Sequence, residues 1–311
     1  MNYRGDAKQL IKHIQSEIKG KDEQIEKAVI TLLAKGHLLI EDVPGVGKTT
    51  LAKSLAYSTH CSFNRIQFTP DTLPSDVIGV SIYNMQTGKF EFSEGAIMNQ
   101  IVLADEINRT SPKTQASLLE AMEERQVTVD GKTYELKEPF MVIATQNPVD
   151  YLGTYHLPEA QLDRFMIKIS MGYPSPEAEK EMVWHKMTAQ TMKKLGAILS
   201  GEDICKMQQE VGQVEINKEL VEYIVTLINA TRNHTSLSLG VSPRATLALV
   251  KASQARAYIE GRDYVIPDDI IQMIEPVLGH RIILSTEAKM NKQTPEKILQ
   301  EIIGKTKIPI F

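Results

Sequence analysis

The sequence predicts an α/β protein with a parallel sheet, followed by a smaller all-helical part. Apolar runs of strand character alternate with helical patterns over the first 173 of the 311 residues. Within this part, the stretch 38–56 has the order strand, glycine-containing loop, helix. Beyond Ser175 the apolar residues recur only with helical spacing. A chain of this length corresponds to about two domains, and we expect them at 1–173 and 174–311.

The first domain opens with two amphipathic helices. The apolar positions of the first end near Gly20, and those of the second follow the i, i+3, i+4 pattern of a buried helical face. These positions are Leu10, Ile11, Ile14 and Ile18, then Ile25, Ala28, Val29, Leu32 and Leu33. Ser111 and Pro112 predict a later helix, because serine caps helices and proline fits the first turn.

Five apolar segments are predicted to form the sheet, and two further segments are predicted to form β-hairpins. The run 101–104 is apolar throughout, as expected for a central parallel strand that is covered on both faces. Asp-Gly at 130–131 is a strong two-residue hairpin signal. The predicted strands are 38–40, 63–68, 101–104, 140–144 and 165–169, and the hairpins pair 80–83 with 89–92 and 127–129 with 133–136.

The second domain is predicted to consist of helices. One helix contains the apolar positions Val221, Ile224, Val225 and Ile228. Another begins at Ser242 and Pro243 and runs to about Gly261. A third begins at Ile266 and Pro267 and continues through the apolar positions up to Leu278.

Composition and charge argue against several classes of protein. Hydrophobic residues make up 42% and charged residues 24%, which is ordinary for a soluble globular chain, and no apolar run has the length of a membrane span. The net charge of −4 provides no basic field, so general nucleic-acid binding is not expected. Cys61 and Cys205 fit neither a zinc site nor a disulfide framework. With no signal-peptide core at the N-terminus, these features predict a cytoplasmic protein.

The segment between the first strand and the following helix has the residues of a phosphate-binding loop. Gly45 and Gly47 let the backbone bend so that N–H groups face a phosphate, and the helix start adds partial positive charge. Lys48 can reach the outer phosphates, and the hydroxyl of Thr49 can ligate Mg²⁺ held between them. The usual pattern opens with glycine where this chain has Asp42. The predicted nucleotide-binding residues are Asp42, Pro44, Gly45, Val46, Gly47, Lys48, Thr49 and Thr50.

Polar residues follow the next two buried strands. Asp105 can bind Mg²⁺ through water, and Glu106 can orient or deprotonate an attacking water. Asn147 follows the strand 140–144 and could hold the same water, because ligands bind beyond the carboxyl ends of parallel strands. An Asp-Glu pair at a strand end or an Asn before Pro is often only a turn. Their combination with the phosphate-binding loop favours a nucleotide-hydrolysing site.

Two arginines are candidates for stabilising transition-state charge. Arg164 and Arg244 each have the required guanidinium, and such a group can come from a neighbouring subunit. Spacing alone favours neither of them.

The series of motifs resembles the MoxR family of AAA+ ATPases over nearly the whole chain. The matching stretches are EDVPGVGKTT at 41–50, IVLADEINR at 101–109, ATQNP at 144–148, PEAQLDRF at 158–165, GVSPRA at 240–245 and GRDYVIPDDI at 261–270. Aspartate at the first loop position is itself typical of that family. The resemblance implies an AAA+ nucleotide-binding core, a helical lid, and ATP with Mg²⁺ as cofactors.

The resemblance also implies roles for the candidate residues. Lys48 and Thr49 correspond to the Walker A lysine and threonine, Asp105 and Glu106 to Walker B, and Asn147 to sensor 1. Arg164 corresponds to the arginine finger that acts on the ATP of the next subunit. Arg244, at the start of a lid helix, corresponds to sensor 2, which would report the nucleotide state to the lid. The hairpins 80–92 and 127–136 correspond to elements that tend to face the pore of a ring.

Members of the MoxR family act as chaperone-like motors with proteins that carry a von Willebrand factor A domain. The resemblance therefore implies a homo-oligomer, a hexameric ring, and such a partner; the client protein is not indicated. Two alternatives remain open. One is a nucleic-acid-stimulated motor, which the acidic balance and the single basic residue of the second hairpin, Lys132, argue against. The other is a nucleotide-gated adaptor with incidental turnover.

Overall fold

The computed structural model describes residues 3–147, 155, 157–187 and 196–309. Its strands are β1 (Leu38–Glu41), β2 (Phe63–Gln67), β3 (Gly79–Asn84), β4 (Lys89–Glu94), β5 (Ile101–Asp105), β6 (Gln126–Val129), β7 (Lys132–Glu135), β8 (Met141–Gln146), β9 (Ile167–Ile169), β10 (Leu237–Leu239) and β11 (Ile283–Leu284). Its helices are α1 (Tyr3–Glu17), α2 (Asp22–Leu33), α3 (Lys48–Ser58), α4 (Pro74–Ile78), α5 (Pro112–Glu124), α6 (Glu159–Leu162), α7 (Pro176–Met187), α8 (Gly201–Val211), α9 (Lys218–Arg232), α10 (Pro243–Ile259), α11 (Pro267–Leu278), α12 (Thr286–Met290) and α13 (Pro295–Lys305). Within these described ranges, none of the helices combines the length and the apolar character that a membrane crossing requires.

The five predicted sheet strands form one parallel sheet in the order β2-β5-β8-β1-β9. All five residues of β5 are buried, which confirms the expectation for the run 101–104. Because the strands are parallel, all their carboxyl ends lie along one edge of the sheet, called the carboxyl edge here. In the strand register, Gln67 lies opposite Asp105 at this edge. The opposite edge, where the strands begin, is called the amino edge.

Both predicted hairpins are present as antiparallel strand pairs, β3 with β4 and β6 with β7. Asp130 and Gly131 connect β6 to β7 with φ of 50° and 75°, which is the geometry of a two-residue turn that suits hairpin twist. The rings of Phe92 in β4 and Tyr134 in β7 stack with their centroids 4.0 Å apart. The two hairpins therefore contact each other through this aromatic pair.

The helical lid is confirmed, with one addition. The side chain of Ser242 accepts a hydrogen bond from Ala245 N at the start of α10, so the predicted cap is present. The strands β10 and β11, however, form a short antiparallel pair among the lid helices. The sequence does not predict this pair because strands of three and two residues are too short to show an alternating pattern.

The first two helices pack on the lid as well as on the core. Apolar side chains of α1, α2, β1, α8 and α10 belong to one continuous buried cluster. Arg256 of α10 contacts Glu26 of α2 at 2.7 Å, and Gln208 of α8 donates to the carbonyl oxygen of Leu32 at 2.7 Å. The division at residue 173 stays a prediction, and any movement of the lid has to carry α1 and α2 with it or break these contacts.

Candidate active site

The loop from β1 to α3 has the backbone shape of a phosphate-binding loop. Gly45 and Gly47 have φ of 88° and 96°, a backbone conformation that L-residues with a side chain rarely adopt. A Cβ atom added at either glycine would meet no other atom within 4 Å, so the backbone conformation, and not a lack of space, is the reason for glycine here. The first α-helical bond of α3 joins Leu51 N to Gly47 O at 3.0 Å. By helix geometry, the amide groups of residues 48–50 precede this bond and are available to an anion.

Asp42, which replaces the usual glycine, anchors the start of the loop. Its buried carboxylate accepts hydrogen bonds from Val43 N at 2.8 Å, from Ser170 Oγ at 2.9 Å and from Gly172 N at 2.6 Å. Burial alone would raise the pKa of this carboxyl, but the hydrogen bonds from Gly172, Ser170 and Val43 lower the pKa below its ordinary value. Asp42 therefore stays ionised and ties the loop to the segment after β9.

Lys48 lies at the start of α3 with its side chain turned back over the loop. Its Nζ donates to the carbonyl oxygen of Asp42 at 2.8 Å, and only 9% of the residue is exposed. Burial lowers the pKa of Lys48, whereas the charges of Asp105, Asp42 and Glu106 raise it. The fold thus brings Lys48 within electrostatic range of Asp105 and Glu106, which are far away in the sequence.

Asp105 ends β5 at the carboxyl edge, and both its oxygens have partners. Thr145 Oγ1, from the adjacent strand β8, donates to Oδ1 at 2.6 Å. Arg65 of β2 donates to Oδ2 from Nη2 at 2.6 Å and from Nε at 3.2 Å. The guanidinium also donates to Gln67 Oε1 at 2.6 Å. Asp105 is therefore paired with a cation of its own chain.

Glu106 follows directly, in a left-handed backbone conformation with φ of 58°. Its backbone N donates to Thr145 Oγ1 at 2.9 Å, which fixes the turn after β5. Its carboxylate oxygen Oε2 accepts hydrogen bonds from Arg109 Nη1 at 2.7 Å and from Gln67 Nε2 at 3.1 Å. The two carboxylates of the predicted catalytic pair are thus held by separate partners at the same edge of the sheet.

Asn147 lies directly after β8, beside the turn that carries Glu106. Its carbonyl oxygen accepts a hydrogen bond from Nδ2 of the buried Asn108 at 3.3 Å. Asn108 belongs to the short 3₁₀ turn Ile107–Arg109 that follows Glu106. The structure therefore places the predicted Asn147 at the carboxyl edge, together with Lys48, Asp105 and Glu106.

Arg164 and Arg244 lie elsewhere and do not join this group in their own chain. Arg164 Nη2 contacts Glu123 Oε2 at 3.1 Å, and Arg244 Nη2 contacts the other oxygen of the same carboxylate. Arg164 also donates to the carbonyl oxygen of Leu119. Both arginines therefore gather at the last two turns of α5.

This end of α5 is at the amino edge of the sheet. His37, the residue before β1, hydrogen-bonds through Nε2 to the carbonyl oxygen of Met122 at 3.1 Å, and its own carbonyl accepts from Met166 N at 2.8 Å. Glu123 follows Met122 directly. Arg164 and Arg244 are therefore on the opposite edge from the loop at residues 42–50.

The residues at the carboxyl edge fit a magnesium-bound triphosphate. The glycine-containing loop and the helix start that follows it suit phosphate oxygens, and Lys48 adds a positive charge. Thr49 lies in the first turn of α3 and offers a hydroxyl, while Asp105 offers a carboxylate, and Mg²⁺ prefers such oxygen ligands.

Several polar partners of the predicted site are not apparent from the motifs. Thr145, Arg65, Gln67 and Arg109 all contact Asp105 or Glu106. Arg65 and Gln67 have the two-residue spacing that puts strand side chains on one face, and Gln67 is the last residue of β2. That spacing was the available signal, but it becomes informative only once β2 is known to lie next to β5.

Comparisons with known proteins match the chain to an ATPase family. Residues 37–167 match the family model of ATPases associated with various cellular activities, and residues 229–302 match that of the AAA lid domain. The chain is 52% identical over 300 residues to the uncharacterized protein YeaC of Bacillus subtilis, covering 96% of this chain and 94% of that protein. It is 40% identical over 301 residues to Chaperone MoxR1 of Mycobacterium tuberculosis, covering 94% of this chain and 79% of that protein.

The fold is also found in an experimental structure. The crystal structure of a presumed ATPase from Cytophaga hutchinsonii superposes with a TM-score of 0.93 at 39% sequence identity, covering 99% of this chain and 96% of that one. Two relatives named MoxR, from Methylorubrum extorquens and Paracoccus denitrificans, are 28% and 30% identical over most of the chain. The protein therefore belongs to the MoxR family of AAA+ ATPases.

Proposed function

We propose that the protein hydrolyses ATP at the carboxyl edge of its sheet. The observation that carries this proposal is the position of Lys48, Asp105 and Glu106 at the same carboxyl edge of the parallel sheet. There the charges of the two carboxylates act on the lysine and raise its pKa. A cation for the outer phosphates and two carboxylates for the metal and the water are the parts that phosphoryl transfer to water requires. Mg²⁺ bound near Thr49 and Asp105 would neutralise phosphate charge and orient the phosphates.

Each residue has a distinct role in this proposal. Lys48 exchanges the carbonyl oxygen of Asp42 for an oxygen of the outer phosphates. Glu106 holds the attacking water and takes its proton, and Asn147 orients the same water from the next strand. The residues from Gly45 to Thr50 bind the remaining phosphate oxygens through backbone N–H groups. Pro44 has no N–H, and Asp42 serves the loop by holding its start in place through Val43 N, Ser170 and Gly172.

We further propose that the active form is a homo-oligomeric ring of six subunits, which is the assembly that the resemblance to the MoxR family implies. Arg164 supports a ring because it lies at the amino edge, away from the loop of its own chain. There it can act only on nucleotide bound by a neighbouring copy, and we assign Arg244 to the same interface because it shares Glu123 with Arg164. A finger supplied by a neighbour would make hydrolysis depend on assembly.

The biological role we propose is chaperone-like remodelling or maturation of a protein complex or cofactor site in the cytoplasm. The partner would be a protein with a von Willebrand factor A domain. This proposal is supported by the relative named Chaperone MoxR1 and by the family resemblance. The two hairpins, joined through Phe92 and Tyr134, would form the surface that moves with the nucleotide state.

Phosphate release by the purified protein tests the enzymatic proposal. We expect Mg²⁺-dependent hydrolysis of ATP by the wild type and none by Lys48→Ala; equal phosphate release by both would contradict the enzymatic proposal.

The proposed partner is tested with a Glu106→Gln protein, which should keep ATP bound and serves as bait in a lysate. Enrichment of a von Willebrand factor A-domain protein supports the proposed role. Hydrolysis that rises with single-stranded DNA instead, and not with a copurified protein, would contradict that role in favour of a nucleic-acid motor.

A further inference from the structure

Arg65 is one of the residues at the candidate site to which neither the motifs nor the comparisons assign a role, and it is the one that forms an ion pair with Asp105. It projects from β2, an edge strand of the sheet, toward the end of β5. Its guanidinium donates twice to Oδ2 of Asp105, and the carboxylate side chain is 11% exposed while that of Arg65 is 45% exposed. The ion pair is thus open to solvent on the arginine side and enclosed on the aspartate side.

A metal ion that binds Asp105 has to compete with Arg65 for the carboxylate. Thr145 Oγ1 occupies Oδ1, and Arg65 occupies Oδ2 with two charge-assisted hydrogen bonds. A hydrated Mg²⁺ needs a carboxylate oxygen whose negative charge is not already neutralised. Both cations therefore draw on the charge of the same carboxylate. Arg65 has an alternative position, because its exposed side lies in solvent and Gln67 Oε1 already accepts one of its N–H groups at 2.6 Å.

We propose that Arg65 is a built-in counterion of Asp105 that Mg²⁺ displaces when nucleotide binds. The arginine keeps the carboxylate neutralised in the free protein and raises the Mg²⁺ concentration that the site requires. Arg65 is a positioning residue in this scheme, since it acts through Asp105 and touches no reacting atom. The inference rests on the proposed function, because the site has to bind magnesium nucleotide for the competition to exist.

The quantity to measure is the coupling between Mg²⁺ and nucleotide. It is the dissociation constant of a fluorescent ATP analogue in EDTA divided by that in saturating Mg²⁺, measured on the full chain without hydrolysis. We expect Arg65→Gln to raise this ratio roughly three- to tenfold, the range open to a half-exposed pair with two hydrogen bonds. Arg65→Lys should raise it less, because lysine keeps the charge but lacks the planar fork.

Two controls separate this effect from a general change of charge. Arg125→Gln removes another arginine that pairs with a carboxylate, Glu138 at 2.8 Å, outside the site, and should leave the ratio unchanged. In an Asp105→Asn background, adding Arg65→Gln should also leave the ratio unchanged, because the charge for which the two cations compete is gone. Thermal unfolding of each variant checks that it is folded.

The possible outcomes are distinct. A ratio for Arg65→Gln that equals or falls below that of the wild type overturns the proposal, as does an undiminished rise in the Asp105→Asn background. In both cases nucleotide binding by the wild type still stands. If the wild type binds the analogue in neither buffer, the proposed function itself fails, and the inference fails with it.

Discussion

Arg164 of the core and Arg244 of the lid contact the two oxygens of one carboxylate, that of Glu123. In the sequence, Arg164 comes before the boundary between core and lid, and Arg244 comes after it. A second contact of the same kind lies nearby, where Arg281 of the lid binds Asp163 at 2.7 Å and Ser242 donates to the same aspartate at 2.8 Å. Polar contacts at the amino edge therefore join the core to the lid.

The first prediction concerns Lys48. We expect Lys48→Ala to weaken ATP binding by about 100-fold or more, because the variant loses a charge-assisted contact with the phosphates in a buried position. Lys53→Ala is the matched control, since Lys53 is an exposed lysine on the same helix. Equilibrium titration with a fluorescent ATP analogue measures both. Similar affinities for the two variants would show that Lys48 does not contact the nucleotide.

The second prediction separates binding from hydrolysis at Glu106. Glu106→Gln keeps the shape of the side chain and an oxygen that can accept hydrogen bonds, but it loses the charge and the basicity. We therefore expect ATP to stay bound and the rate to fall by about 10²- to 10⁴-fold. Glu135→Gln, an exposed glutamate on β7, should behave as the wild type. Phosphate release under saturating ATP measures the rate. Hydrolysis by Glu106→Gln at the wild-type rate would refute its assignment as the base.

The third prediction tests whether Arg164 acts on a neighbour. Arg164→Ala alone should lose hydrolysis, by as much as about 10³-fold if it serves as an arginine finger. Arg164→Ala subunits keep Glu106, and Glu106→Gln subunits keep Arg164. When the two variants are mixed, the sites of the Arg164→Ala subunits should regain part of the activity, because a Glu106→Gln neighbour supplies the arginine. Phosphate release across a series of mixing ratios is the measurement. Absence of rescue at every ratio would argue that Arg164 acts within its own chain or not at all.

The fourth prediction is a pH dependence of stability that arises from His37. Its Nδ1 accepts from Val142 N at 3.0 Å while Nε2 faces the carbonyl of Met122, so the folded protein holds the ring neutral. Burial is the main reason that its pKa falls from 6.5 to about 4; the contact with Met122 raises the pKa and the charge of Arg125 lowers it. Between these values the unfolded chain binds the proton and the folded chain does not.

The sign follows directly from this difference. The contribution of His37 to the free energy of unfolding is complete above pH 6.5 and is lost as the pH falls toward 4, by roughly 3 kcal/mol. Urea unfolding at several pH values measures the slope. His37→Gln should be less stable at neutral pH but should lose less stability on acidification, whereas the exposed His60→Gln should keep the wild-type slope. Equal slopes for wild type and His37→Gln would contradict the prediction.

Local patterns were sufficient to predict much of the fold. The apolar run 101–104 corresponds to a strand buried on both faces, Asp130 and Gly131 form the predicted turn, and Ser111 caps α5 through a hydrogen bond with Thr114 N. Each of these features depends on neighbouring residues in the sequence. The pair β10 and β11 depends instead on segments that are more than 40 residues apart, and no local pattern announces it.

The candidate site shows the same division between local and long-range information. The glycines with positive φ, the lysine and the acidic pair belong to short motifs, so the sequence alone is enough to propose them as a phosphate-binding loop and its carboxylates. The partners of those groups depend on strand order and register. Only the folded sheet places Arg65 beside Asp105. The tertiary structure likewise decides that Asp42 accepts hydrogen bonds from Ser170 and Gly172, and that Arg164 lies at the amino edge. A motif can be recognised in the sequence because adjacent residues determine the local backbone conformation. The pairing of charges depends instead on distances between residues far apart in the sequence, and only the tertiary structure sets those distances.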